Sequence, residues 1–387
     1  MARLNPLFPF ALYLVLGIFY VLPSGLPQPA DAVVVGGVIG LALLGGFRLM
    51  LGRDELIAVV ALGVWTYLVN CWYFVAIGDP VFLKKSLFYL YNLTFFAVAL
   101  SAFRQVRGQD MRMIVWASFI ALLIETFVVV AMPELIGRRQ IGTFNNPNQL
   151  AYWTLLNAAV FFLSMLVCRN QGTAVRGDRW LAVLVILLAG FVIGESLSKA
   201  GLAAYVVMVV LIAGPVFGLR WPMIMLLGIL VAAVGVIAIP NGDTALSFGQ
   251  SLGLDFVDKI IRRLTHVQAD DSLTSRGYFR LLEMPQYLIA GAGEGAFGRI
   301  SASAGKSVEI HSTPVHFVTS YGLIGVAIFG WFAATFVRPL SLTVVAVLAA
   351  VLIYGLAHNG LRFTHFWLVL ALIAAARPAP WLRGVPA

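Results

Sequence analysis

Long apolar segments recur along almost the whole of this 387-residue chain, and they constrain its fold more than any other feature. Hydrophobic residues make up 61% of the sequence and charged residues only 11%, and the mean hydropathy is +0.93. A water-soluble domain is typically about half apolar and about a quarter charged. A helix that spans a bilayer needs about 20 apolar residues. We therefore predict an all-α polytopic membrane protein with about 12 transmembrane helices.

A window of about 19 residues places these spans along the chain. They lie at 7–23, 32–47, 55–77, 83–103, 112–132, 149–168, 179–195, 199–217, 221–239, 313–336, 339–356 and 364–377. Short cytoplasmic loops are rich in Lys and Arg, and with the N-terminus inside, 13 of the 26 basic residues fall on the inner face. Both termini are then cytoplasmic. The net charge of +9 reflects this topology, and we expect no nucleic-acid partner.

One long segment, 240–312, separates spans nine and ten and would lie outside the cytoplasm. We predict three parts: 1–239 with helices 1–9, a 240–312 loop domain, and 313–387 with helices 10–12. Apolar residues repeat at helical spacing over 251–265, which predicts an amphipathic helix in the membrane interface. A second loop helix should begin after Thr274 or Ser275 and end by Pro285.

Several polar groups on the predicted outer face are candidates for function. Arg138 and Arg139 precede an Asn-Asn-Pro-Asn turn that contains Asn146 and Asn148, although such a turn with surface arginines is also an ordinary helix start. Glu195 and Lys199 are four residues apart, as in a helical salt bridge. A structural pair and a ligand-facing lysine both remain open, because ionisable groups at membrane depth are usually paired or functional.

The loop and the start of span ten supply further candidates. Arg276 and Arg280 are also four apart, and two guanidinium groups on one helix face are suited to a diphosphate, although a solvated face explains the same spacing. His311, close to Glu309, is a natural proton acceptor. Further candidates are His316, one turn deeper, the outer Lys84 and Lys85, and Glu125, a lone acid within span five. The Gly-rich run at 291–298 is interpreted as a turn.

Four segments, in this order, resemble the O-antigen ligase and polymerase superfamily of bacterial membrane glycosyltransferases. They are GTFNNPNQLAYW at 142–153, SLSKAGLAAY at 196–205, SLTSRGYFR followed by IAGAGEGAFG, and EIHSTPVHFVTSYGLIG. In the last segment His311 precedes Gly322 by 11 residues and Gly325 completes a Gly-x-x-Gly pattern. Two positions differ from the family, since Lys199 stands where arginine is usual and Ser312 replaces an asparagine. The resemblance covers about 135–330.

The resemblance implies a glycosyltransferase of the bacterial inner membrane with a periplasmic active site. Its donor would be a glycan on undecaprenyl diphosphate and its acceptor a hydroxyl group, with metal-independent inversion and no cofactor. Arg276 would bind the diphosphate and stabilise the leaving group, and His311 would be the general base. Lys199, Arg280, Arg138 and Arg139 would assist at the diphosphate, and Glu195, Asn146, Asn148 and Glu309 would support them.

Three alternatives to ligation differ from it in the acceptor or in the class of protein. Ligation onto lipid A core is slightly favoured, because the outer polar residues are concentrated in one loop, whereas polymerases of this group often have two basic loops. Polymerisation of O-antigen or exopolysaccharide repeats and glycosylation of a protein remain open. A transporter or flippase of lipid-linked sugars would also have about twelve spans, but such carriers tend to have related halves with broken helices, which the sequence does not indicate.

Overall fold

The computed structural model describes residues 5–22, 27–106, 108–132, 135–136, 139–220, 284–295, 310–337 and 340–376, together with positions 223, 259–260, 262–263, 277–279 and 282. Within these residues the protein is mainly helical. The eleven α-helices are α1 Phe8–Leu16, α2 Pro29–Leu43, α3 Arg53–Ile77, α4 Val81–Gln105, α5 Gly108–Ala131, α6 Pro147–Asn170, α7 Asp178–Ser196, α8 Lys199–Phe217, α9 Thr313–Phe336, α10 Leu342–Ala357 and α11 Thr364–Ala375. Strands β1 Leu135–Ile136 and β2 Arg139–Gln140 form a small antiparallel ladder.

Seven of the helices in the described ranges, α3 to α9, are long and apolar enough to cross a membrane. Helices α8 and α9 have the bounds predicted for spans eight and ten. By contrast, α1 has nine residues, or about 13 Å at 1.5 Å per residue, which is shorter than the predicted span 7–23. Except for position 223, the span at 221–239 lies outside the described residues, as does most of the 240–312 loop. The total of 12 spans and the three-part division therefore stay predictions.

Local sequence signals fix several helix ends. Asn146 caps α6, because its side chain accepts a hydrogen bond from the Gln149 N–H at 2.9 Å, and Pro147 follows at the first helical position. At the start of α3 the Glu55 carboxylate accepts from the Gly52 N–H at 2.9 Å. Helix α3 ends at Ile77 and is followed by Gly78, whose φ of 79° suits glycine.

The chain divides into two compact units that each combine distant segments. The first comprises 1–46, 106–268 and 340–354, and the second 47–105, 269–339 and 355–387. In the first unit α6 is almost wholly buried, and it packs against α5, α7 and α8. In the second unit α4 packs against α3 and α11, and α9 packs against α3.

Candidate functional site

The first unit has a cluster of charged residues at the junction of α7 and α8. Helix α7 ends at Ser196, and Leu197 has a φ of 51°, the only positive value at a non-glycine position in the described part of the chain. A leucine in this conformation is strained, which points to a constraint from the surrounding structure. The Ser198 side chain then caps α8 by accepting from the Gly201 N–H at 3.4 Å.

This break bears on the pairing of Glu195 with Lys199, which the sequence left open. The two residues are four apart in sequence, but Glu195 belongs to α7 and Lys199 begins α8, so they do not lie on one continuous helix face. The Glu195 carboxylate instead lies 3.6 Å from the Lys259 ammonium. Glu195 is thus engaged by a residue of the long loop, and Lys199 stands at the start of a new helix.

Arg139 links this junction to the Asn-Asn-Pro-Asn segment. Its Nε donates to the Ser196 carbonyl at 3.0 Å and its Nη2 donates to the Asn148 side-chain oxygen at 2.8 Å. The structure therefore brings together Arg139, Asn148 and the end of α7, which belong to separate sequence motifs. Asn146 has a different place, since it caps α6. Arg138 lies outside the described residues.

Glu125 of α5 forms hydrogen bonds with the same 139–148 segment. Its side chain is completely buried in α5, and its two oxygens accept from the Thr143 N–H at 3.2 Å and the Thr143 hydroxyl at 3.0 Å. Gly142, the residue before Thr143, has a φ of 55°, and a Cβ atom at this position would overlap the Glu125 carboxylate. The partner that the sequence could not identify for Glu125 is therefore Thr143, and this contact holds the 139–148 segment over the end of α5.

Arg263 completes the junction cluster. Its Nε donates to the Leu197 carbonyl at 3.3 Å. Its Nη1 is buried and has no hydrogen-bond partner among the residues that the structure describes. A buried charged donor without a partner is costly, so this nitrogen is suited to an anionic ligand. Arg139, Lys199, Lys259 and Arg263, with Glu195, give the cluster a surplus of three positive charges.

In the second unit His311 lies just before α9, and it is exposed. Its neighbour Ser312 donates from its hydroxyl to the Tyr278 hydroxyl at 3.2 Å, and Tyr278 in turn donates to the Leu356 carbonyl. The chain two residues beyond Arg276 therefore lies beside the residue that follows His311. Arg276, Arg280 and Glu309 themselves lie outside the described residues.

Thr313 holds this region to the segment after α10. Its hydroxyl donates to the His358 carbonyl at 2.8 Å and accepts from the Gly360 N–H at 2.9 Å. The start of α9, which follows His311 and Ser312, is thus attached by hydrogen bonds to Tyr278 and to the segment after α10. The exposed His311 side chain therefore lies next to a segment that is fixed by hydrogen bonds.

A second charged cluster, centred on Glu294, lies deeper in the same unit. The Glu294 side chain is 0% exposed, and its Oε1 lies 3.2 Å from Arg362 Nε, 3.5 Å from His316 Nε2 and 3.9 Å from Lys85 Nζ. Its Oε2 accepts from the Tyr321 hydroxyl at 3.1 Å. These groups come from three helices or their ends and from one loop, so Glu294 joins elements that are remote in sequence.

The electrostatic environment of Glu294 keeps it ionised. Burial acts to raise the pKa of its carboxyl, but His316, Arg362 and Lys85 together outweigh burial and hold the pKa well below its usual range. A carboxylate surrounded by cationic groups is stable in a buried place where an isolated one would take up a proton. His316, considered as a rival base to His311, is completely buried beside this carboxylate.

The loop that bears Glu294 enters a break in α9. Gly322 has φ 67° and ψ −176°, which interrupts the helix. The Ala292 and Gly293 N–H groups donate to the Thr319 and Ser320 carbonyls at 2.8 and 2.9 Å, and the Leu323 N–H donates to the Leu288 carbonyl at 2.8 Å. The 288–295 segment therefore replaces the hydrogen bonds that α9 loses at its break.

Asn70 shows how deep this loop lies. The Glu294 N–H donates to the Asn70 side-chain oxygen at 2.8 Å, and Asn70 lies seven residues before the end of α3, or about 10 Å along the helix. The run at 291–298, interpreted from sequence as a turn, therefore packs inside the helical unit in its described part, 291–295. Sequence reasoning missed Glu294, Lys259 and Arg263 as site residues. The available signals were a glutamate between glycines and the four-residue spacing of Lys259 and Arg263.

Across the described residues, no three histidine, cysteine, aspartate or glutamate side chains lie close enough together to hold a metal ion. No model of a known protein family and no curated protein sequence matches the chain.

Proposed function

We propose that this protein is a membrane glycosyltransferase that moves a glycan from a polyprenyl diphosphate to an acceptor hydroxyl on the outer side of the cytoplasmic membrane. The observation that carries the proposal is the cationic junction between α7 and α8, where Arg263 Nη1 is buried without a partner in the described part of the chain. The sequence resemblance supplies the reaction class, and the junction supplies a site with the charge that a diphosphate requires.

A diphosphate ester carries two negative charges, and guanidinium groups bind phosphate oxygens in a planar, bidentate manner. Arg139 and Arg263 are both held at the junction by backbone carbonyls, at Ser196 and Leu197. Because these bonds orient the guanidinium groups before any ligand arrives, little side-chain freedom is lost on binding. Lys199 and Lys259 add positive charge, and the resemblance places Lys199 where the family has arginine.

In the proposed reaction the acceptor oxygen attacks the anomeric carbon, and the bond from that carbon to the diphosphate oxygen breaks. The resemblance assigns proton removal from the acceptor to His311, and it assigns stabilisation of the leaving diphosphate to Arg276. The exposed position of His311, next to a serine whose hydroxyl donates to Tyr278, is compatible with this role. The reaction releases polyprenyl diphosphate and the extended acceptor.

The donor role of the junction is tested with undecaprenyl-diphosphate oligosaccharide and the purified protein in lipid. We expect Arg263→Ala and Lys199→Ala each to weaken donor binding by about tenfold or more, since a charge-assisted hydrogen bond contributes about 1.5–3 kcal/mol. Arg53→Ala removes an exposed arginine from the first turn of α3 and serves as the matched control. Donor binding that is equal in all four proteins would contradict the proposal.

The acceptor is tested in the same preparation by supplying either lipid A core or free glycan repeats. Extension of lipid A core identifies a ligase, which the single outer loop slightly favours, and extension of the free glycan identifies a polymerase. The transporter alternative predicts a path past Glu125. The Glu125 side chain is completely buried, and both of its carboxylate oxygens accept hydrogen bonds from Thr143.

A further inference from the structure

A cavity of about 520 Å³ lies in the first unit, where α6 ends, α7 begins and α8 ends. Helix α7 runs from this cavity to the cationic junction, and its 19 residues place the two about 27 Å apart. The cavity therefore takes no part in the proposed donor site. Sequence topology assigns this end of the unit to the cytoplasmic face.

The cavity is cationic. Arg169, Arg176 and Arg179 line it, and all three are exposed. Asp178 also lines it, but its carboxylate is neutralised by Arg112, whose two terminal nitrogens lie 2.9 and 3.3 Å from it. Arg176 and Arg179 form no ion pair with any residue that the structure describes. The cavity thus presents positive charge that no described carboxylate offsets.

One wall of the cavity is apolar and extends toward the membrane interior. Phe162, Met165, Leu166 and Arg169 follow the i, i+3, i+4, i+7 spacing that places them on one face of α6. Phe162 is therefore about 10 Å deeper than Arg169 along the helix. Arg169 donates to the Pro215 carbonyl of α8 at 3.0 Å, which holds its guanidinium at the rim. A small inorganic anion would leave this wall unused, whereas an amphipathic molecule would cover it.

Trp180 indicates where this cavity stands relative to the bilayer. Its side chain is 75% exposed in the first turn of α7, next to Arg179. Exposed tryptophans concentrate at the level of the lipid headgroups. Arginines at the same level, above an apolar wall, match the arrangement of basic pockets between helices that bind acidic headgroups on the cytoplasmic side.

From these observations we propose that the cavity binds the phosphate-bearing headgroup of an anionic membrane phospholipid, with one acyl chain along the Phe162–Leu166 face of α6. Arg176 and Arg179 contact the phosphate, and Arg169 closes the rim. The bound lipid fills the space between the ends of α6, α7 and α8 and holds these three ends together.

The test measures binding of fluorescent phosphatidylglycerol and phosphatidylcholine to the full-length protein in detergent. We expect phosphatidylglycerol to bind at least tenfold more tightly, as the cationic lining requires. The double substitution Arg176→Ala/Arg179→Ala should weaken phosphatidylglycerol binding about thirtyfold, since one basic residue near an anionic lipid surface contributes about fivefold. Both arginines are exposed, so the protein should still fold, and its thermal unfolding is recorded alongside.

Two controls separate charge from other effects. Arg176→Lys/Arg179→Lys should keep most of the affinity, and Arg53→Ala, an exposed arginine outside the cavity, should change nothing. Equal affinity for the two lipids, or wild-type affinity in the double alanine variant, would overturn the proposal. The proposal would also be overturned if millimolar inorganic phosphate displaced the lipid and phosphatidylglycerol bound no better than soluble glycerol phosphate. The site would then recognise a free anion.

Discussion

Glu294→Gln removes the negative charge at the centre of the second unit while keeping the shape of the side chain. In the folded protein this carboxylate lies within 4 Å of Arg362, His316 and Lys85, and its own side chain is 0% exposed. Glutamine cannot balance these groups. The substitution leaves a buried positive charge without a counter-charge and also weakens the bond from the Tyr321 hydroxyl.

The magnitude follows from the burial of the partners. Removal of one member of a buried ion pair typically costs about 3–5 kcal/mol. The Arg362 and Lys85 side chains are 17% and 21% exposed, so water partly screens the charges that remain. We therefore expect Glu294→Gln to lower the free energy of unfolding by about 3 kcal/mol. Lys85→Met should cost about 1 kcal/mol, because Lys85 is the most distant partner at 3.9 Å and Arg362 stays in place.

Unfolding is followed by circular dichroism during titration of micelle-bound protein with SDS. Lys84→Met is the matched control for Lys85→Met, since Lys84 is exposed, and it should leave stability unchanged. The pKa of Glu294 in the folded protein lies below the ordinary glutamate value of about 4.3. Its contribution to the free energy of unfolding is therefore complete above about pH 4.3 and is lost as the pH falls below this value. If Glu294→Gln is no less stable than Lys84→Met at neutral pH, the ion cluster does not stabilise the fold and the reasoning fails.

Three further predictions concern Gly322, at the break in α9, and the candidate residues His311 and Arg276. Gly322→Ala should cost more than about 3 kcal/mol in the same titration, since its Cβ would overlap the Ile289 carbonyl and its φ and ψ suit only glycine. Gly330→Ala, in open space on the same helix, should be neutral or slightly stabilising, and a similar loss in both variants would contradict the argument. His311→Ala should abolish glycan transfer while donor binding and folding persist, whereas Arg276→Ala should weaken both binding and transfer. Retained turnover in the first variant or unchanged donor affinity in the second would remove the assigned role.

The long helices could be predicted because hydropathy is a local property. About 20 consecutive apolar residues are sufficient to indicate a span, and α8 and α9 begin and end where the sequence predicts. The break inside α9 could not be predicted in the same way. Gly322 interrupts an apolar run without changing its hydropathy, and its conformation depends on hydrogen bonds to residues 288 and 289, more than thirty positions earlier.

Among the candidate site residues, too, the sequence could identify individual polar residues but not their contacts. Sequence motifs identified Arg139, Asn148, Glu195 and Lys199 as polar groups in apolar surroundings, and the structure brings the first two to the end of α7. Sequence could not identify the partners. In the sequence, Lys259 and Arg263 are typical of the solvated side of an amphipathic helix. In the structure they contact Glu195 and Leu197, which lie more than sixty residues earlier.

The two charged clusters lie at different backbone irregularities, the turn between the spanning helices α7 and α8 and the break inside α9 at Gly322. An interrupted helix leaves carbonyl and N–H groups unpaired, and inside a bilayer these groups must be satisfied by protein or must line a wet cavity. At the α7–α8 junction two arginines bond the Ser196 and Leu197 carbonyls, whereas at Gly322 the backbone of 288–293 supplies the bonds. At Gly322, therefore, backbone groups alone satisfy these hydrogen bonds. The α7–α8 junction depends on cationic side chains, and these side chains include the residues proposed to bind the diphosphate.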